Sequence, residues 1–137
     1  MRVVVDTDVV AAALLGEERR GAEAARLLAK ADVLLAPSHW KAELANVFWK
    51  AVVFGAVPAD ALGDLFRAAE LLGITSVDVS ELWRGATSRA VTLRQSAYDV
   101  LFVELALREG VPMASYDRAL ATKAPRVVVP PGRLLRA

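Results

Sequence analysis

VVVDTDVVAA, residues 3–12, is the stretch on which the reading of the chain turns. Three successive valines suit a strand buried on both faces, and the apolar run resumes after residue 8 without a turn signal. Two carboxylates, Asp6 and Asp8, interrupt that run where the strand should end. Either can cap a following helix, because Asp accepts from unpaired amides and complements the helix dipole. One cap needs one residue. Asp6, Thr7 and Asp8 together supply more capping groups than the position can use.

Working outward, further strand-like runs fall at 33–36, 74–79, 113–115 and 127–129. Helical segments lie between them. Ser38 and Gly55 bracket one; Pro58 fits the first turn of the next, which ends at Gly73. Another runs from residue 80 or 81 to 93. Ser96 caps a helix through 109, stopped by Gly110-Val111-Pro112, and Asp117 starts a short one before Pro125. Pro130-Pro131-Gly132 reads as the end of the fold. Strands alternating with helices imply βαβ units and a mainly parallel sheet covered on both faces. Ligands in such sheets bind beyond the carboxyl ends of the strands. Asp6 and Asp8 follow the first strand there, and Asp117 follows the strand at 113–115.

Length and composition narrow the function classes. The 137 residues fit one domain spanning 1–137. With no cysteine, disulfides and thiolate metal sites are excluded, and a single histidine cannot build a His-rich zinc site. Gly-rich phosphate loops and the G-x-S-x-G nucleophile turn are absent. The net charge of +1 argues neither for nor against nucleic acid. However, 13 of the 17 basic residues are arginine, whose planar fork pairs with phosphate. A hydrophobic share of 55% and a mean hydropathy of +0.38 leave an excess that a self-association surface would absorb. No signal-like or membrane-spanning stretch is present, so the expected location is the cytoplasm.

Three more acids stand out. In HWKAELANVFWK, residues 39–50, His39, Glu43, Asn46 and Lys50 form one narrow polar stripe on an otherwise apolar helix. Ser96-Ala97-Tyr98-Asp99 matches a capping box, yet Glu104 and Arg108 mark the polar side of that helix. Asp99 lies about 140° around from Glu104, toward Phe102, Val103 and Ala106. A carboxylate there is costly unless a cation or donor meets it. Asp117, in ASYDRALA (114–121), can cap its own helix, with Ser115 placed to orient a carboxylate. Carboxylates gathered in one partly buried cleft repel each other, and a hard divalent cation such as Mg²⁺ or Mn²⁺ relieves this. Such a site can polarise a phosphodiester and activate water.

VVVDTDVVAA, AELAN (42–46), SAYDVLFVELA (96–106) and ASYDRALA resemble, in order and spacing, the four acidic motifs of PIN-domain ribonucleases. The resemblance spans nearly the whole chain and is closest to the small VapC-like toxins of toxin–antitoxin pairs. It implies a PIN-like three-layer α/β/α domain with a short, mainly parallel central sheet. It further implies a Mg²⁺- or Mn²⁺-dependent endoribonuclease acting on RNA, inhibited by a small antitoxin and usually homodimeric. Carried over by position, Asp6 and Asp99 are the principal metal ligands. Glu43 completes that site or orients a water, and Asp117 serves a second metal or the water. Asn46 and Ser115 match accessory polar positions. Two departures stand out: Asp8, where Ser or Asn is frequent, and Tyr116, where a basic residue commonly precedes the acid.

Arg19, Arg20, Lys41, Arg84, Arg89, Arg94, Lys123 and Arg126 are candidates to line an RNA path. Trp40, Phe48, Trp49 and Phe54 divide between core and partner contact, with core expected for at least two. Two other readings stay open. Asp6-Thr7-Asp8-Val9-Val10 also fits the nucleophile motif of haloacid-dehalogenase-type phosphatases, with Asp6 as nucleophile and Lys123 the only late lysine. A PIN-like module could also bind RNA or a partner without cutting.

Overall fold

The valines that open the chain form the centre of the sheet. In a computed structural model, which describes all of residues 1–137, Val3, Val4 and Val5 are buried within β1 (Arg2–Val5). The other strands are β2 (Val33–Pro37), β3 (Thr75–Val77), β4 (Met113–Ala114) and β5 (Val128–Val129). All pairings are parallel, in the order β3-β2-β1-β4-β5. Val3 aligns with Leu34 on one side of β1, and Val5 with Ala114 on the other. The chain winds outward from β1 to β3, then crosses back to lay β4 and β5 on the opposite side. The winding therefore reverses between β1 and β4, where such sheets open a crevice beyond their carboxyl ends.

Helices cover both faces, making a three-layer α/β/α fold. They are α1 (Thr7–Leu14), α2 (Gly21–Lys30), α3 (Trp40–Val53), α4 (Leu62–Leu71), α5 (Trp83–Leu93), α6 (Ala97–Glu109), α7 (Arg118–Lys123) and α8 (Pro131–Arg136). α6 lies against β1, β2 and β4 and carries α5 on its back, whereas α1 packs with α2, α3 and α4. Every residue of α6 from Val100 to Ala106 is buried, as expected for a helix walled in all round. α1 follows β1 after a single residue because Val9, Val10, Ala11 and Ala12 are themselves core. No helix is long and apolar enough to cross a membrane.

Five sequence-based expectations change. Ser38 does not cap α3, whose N-cap is His39; the Ser38 hydroxyl instead accepts from the Val79 amide. The strand expected at 74–79 contracts to Thr75–Val77, because Asp78 accepts from the Ser80 amide and starts a 3-10 turn. Pro130-Pro131-Gly132 does not end the fold: Pro131 opens α8, which packs on α2. α3 is not buried apart from its polar stripe. Trp40, Leu44, Phe48 and Ala51 face inward, while Trp49, Val53 and Phe54 are 57%, 55% and 79% exposed. Trp40 and Phe48 thus go to the core, and the other two aromatics do not. Finally, Glu104 does not mark a solvent face, because α5 covers it.

Candidate active site

At the β1–β4 crevice, Asp6, Thr7, Asp8, Glu43, Asn46, Val47, Asp99 and Asp117 line one cleft of about 360 Å³. Five of these eight side chains are acids, and none is basic. Each arrives by its own local logic. Asp6 caps α1, its Oδ1 accepting from the Thr7 amide at 2.8 Å, so the capping role and a place in the cleft coexist. Asp117 likewise caps α7, with Oδ1 accepting from the Leu120 amide at 3.0 Å. Glu43 and Asn46 reach in from the first two turns of α3. Asp99 sits in the first turn of α6, but the capping box is incomplete. The Ser96 hydroxyl accepts from the Tyr98 amide, and the Asp99 carboxylate bonds to nothing on the chain.

The polar atoms behind the cleft hold these acids in place. The Ser115 hydroxyl donates to Asp6 Oδ2 at 2.7 Å, and the Asp6 amide donates to the Ala114 carbonyl. Asp8 Oδ2 accepts from the Tyr116 amide at 3.1 Å, tying α1 to the end of β4, while Asp8 Oδ1 is buried without a partner. Thr7 donates to Glu43 Oε1 at 2.8 Å. Sequence reasoning treated Thr7 only as a rival cap. No spacing in the sequence signals that bond, because it joins α1 to α3 across 36 residues.

The electrostatics match this crowding. Burial pushes the Asp6 carboxyl well above its usual range, and the charges of Asp8, Asp99 and Glu43 add to it against the Ser115 bond. Burial also raises Asp8 to about 6, despite the Tyr116 amide and the charge of Arg20. Asp99 is raised by burial, then by Asp117 and Glu43. The acids therefore act on one another across the cleft. No three of them close on a point as a ready-made cage. An open set of hard oxygens of this kind suits a cation that keeps its waters and shares them with substrate phosphate.

The basic candidates lie elsewhere. Arg20 is held by Glu17 at 2.6 Å and stacks over the Tyr116 ring, Arg89 pairs with Glu104, and none of the eight lines the cleft. Lys123 donates to the Arg94 carbonyl at 2.8 Å and does not accompany Asp6, so the phosphatase reading lacks its lysine.

A family model described as "PIN domain" matches residues 3–124. A protein of Pyrobaculum aerophilum named Ribonuclease VapC3 is 31% identical over 134 residues, covering 95% of this chain and 100% of that protein.

Proposed function

Because the chain belongs to the PIN-domain family, we propose that it is a Mg²⁺- or Mn²⁺-dependent endoribonuclease and the toxin of a toxin–antitoxin pair. The carrying observation is a cleft of five carboxylates without one basic side chain, placed where the sheet's winding reverses. An RNA phosphate entering it unaided would meet only repulsion. The donor set fits a hard divalent ion: all the charged donors are carboxylate oxygens, and one, Asp8 Oδ1, is buried and unpaired. Asp6 and Asp99 would hold it, with Glu43 completing the set or orienting a water, and Asp117 serving a second ion or the water. Asp8, Asn46 and Ser115 are accessory.

Bound there, a divalent ion supplies charge to a phosphodiester and lowers the pKa of water. The chain's own groups do the positioning. Ser115 and the Thr7 amide each fix one oxygen of Asp6, and the Thr7 hydroxyl fixes Glu43. Asp117 lines the cleft and spends Oδ1 on its helix, which leaves Oδ2 without a hydrogen bond to the chain. The exposed Trp49, Val53 and Phe54 support an apolar contact with an antitoxin or a second subunit in the cytoplasm.

Incubating the purified protein with single-stranded and hairpin RNA in EDTA, Mg²⁺ or Mn²⁺ tests the reading. Cutting is expected only with the metals, and Asp6→Asn or Asp99→Asn should abolish it without lowering the melting temperature. RNA binding without cutting in either metal would instead favour a non-catalytic module.

A further inference from the structure

Glu43 and Asp99 face each other across the cleft from two helices, α3 and α6, that do not pack extensively along their lengths. Their charges repel, as the effect of Glu43 on Asp99 records. Something has to set the distance between them. One side chain reaches across at the right place. His39 precedes Glu43 by one helical turn, and its Nε2 lies 3.0 Å from the carbonyl oxygen of Tyr98, the residue before Asp99.

The carbonyl can only accept, so Nε2 is a nitrogen that carries a proton. Nδ1 is buried and has no partner. A buried ring nitrogen without a partner is costly, so the bond from Nε2 is the polar contact that holds the ring to the chain. The ring is fixed by Phe102, a buried α6 residue whose ring centroid stands 5.0 Å away. Nε2 also stands 3.8 Å from Glu43 Oε1, the same oxygen that Thr7 holds from the α1 side. His39 is therefore joined to the backbone beside one acid and flanks the other.

We propose that His39 is a positioning residue that ties the start of α3 to the start of α6 and so sets the spacing between Glu43 and Asp99. This rests on the metal-dependent ribonuclease reading for its effect on catalysis, but not for its effect on the geometry of the acids. The Nε2 proton does the work, so a side chain placing an amide N–H there should substitute. Gln does so, whereas Leu fills similar space without a donor.

The test compares His39→Leu and His39→Gln with the parent in three measurements: Mn²⁺ binding without RNA, followed by the paramagnetic signal of the free ion; cleavage of a fluorogenic single-stranded RNA at saturating Mn²⁺; and thermal melting. His39→Leu should weaken Mn²⁺ binding by about tenfold, as loss of an outer-shell partner does. It should lower kcat with little change in KM for RNA, and stay folded at the assay temperature. His39→Gln should recover most of both losses. If His39→Leu binds Mn²⁺ and cleaves like the parent, or if His39→Gln is as impaired as His39→Leu, the inference fails while the ribonuclease reading stands. If the parent binds Mn²⁺ but cuts no RNA, and His39→Leu still weakens that binding, the ribonuclease reading fails and the inference stands. A parent that neither binds Mn²⁺ nor cuts RNA overturns both.

Discussion

Glu104 and Asp6 are carboxylates withdrawn from solvent to the same degree, 6% and 8% exposed, within one small core. Around Glu104 the chain supplies cations: Arg89 Nε at 2.9 Å and Arg108 Nε at 3.3 Å, one to each oxygen. Gly85 makes room, since a Cβ there would stand 2.5 Å from Glu104 Oε1. Around Asp6 the chain supplies only neutral donors, the Ser115 hydroxyl and the Thr7 amide, and the charges nearby are those of other acids. Burial alone thus says little about purpose. The sign of the surroundings separates a carboxylate the fold has neutralised from one left for something outside the chain.

The largest expected effect strikes that difference directly. Asp6→Asn should reduce RNA cleavage by roughly 10³-fold, the scale of the several kcal/mol that a bound metal contributes at a phosphoryl oxygen. Its melting temperature without metal should hold or rise, because a repelled charge has gone. Cleavage at the parent's rate would show that the unpaired acid is not the working one. Next in size is the response to the ion itself. At 100 times its Kd, Mn²⁺ should raise the parent's stability by about 2.7 kcal/mol, and Asp6→Asn should lose most of that. Differential scanning fluorimetry with and without Mn²⁺ checks it. An equal shift in both proteins would move the ion to another site.

Glu104 should behave in the opposite sense. Glu104→Gln leaves Arg89 and Arg108 without their charge partner, at a cost of about 2 kcal/mol, or roughly 6–10 °C in melting temperature. The estimate sits below that of a fully buried pair because both arginines are about half exposed. Cleavage by Glu104→Gln below its melting range should match the parent. A melting temperature that does not fall would remove the contrast with Asp6.

The two acids also differ in how far the sequence disclosed them. β1, α1 and the acids at the strand ends were legible, because a run of valines broken by carboxylates has few physical explanations. The parallel sheet followed from alternation, and its order places Asp6 and Asp117 beyond the carboxyl ends of adjacent strands. Glu104 was misread. Its i, i+4 spacing with Arg108 is what a solvated face looks like, and only the packing of α5, unknown until the chain is folded, turns it into a buried pair. The same limit applies to the exposed half of α3, where Trp49 and Phe54 look like core by residue type. His39 and Thr7 were out of reach for another reason. Their role lies in a distance to a second helix, which no periodicity encodes.

The smallest effect is a shift of stability with pH in the metal-free protein, and its sign follows from the same contrast. Asp8 titrates at about 6 when folded and at 3.8 otherwise, and Asp6 is raised in the same direction. The folded state therefore holds these protons more tightly than the unfolded chain does. Their contribution is fully present below 3.8 and, for Asp8, is lost as the pH rises through about 6; Asp6 acts in the same direction. Glu17, Asp32 and Asp78 are lowered and act oppositely, but only as the pH falls below the ordinary carboxylate range; Asp32 and Asp78 are exposed and Glu17 is only part-buried. Between pH 7 and 5 the raised acids should win, so melting in EDTA should move up by roughly 3–5 °C on acidification, about 1 kcal/mol. Asp8→Asn should flatten this dependence. Saturating Mn²⁺ should reverse it, because the ion competes with those protons. Melting in EDTA that falls steadily from pH 7 to 5 would mean the acids of the cleft are as well compensated as Glu104, and the ground for expecting a cation there would be gone.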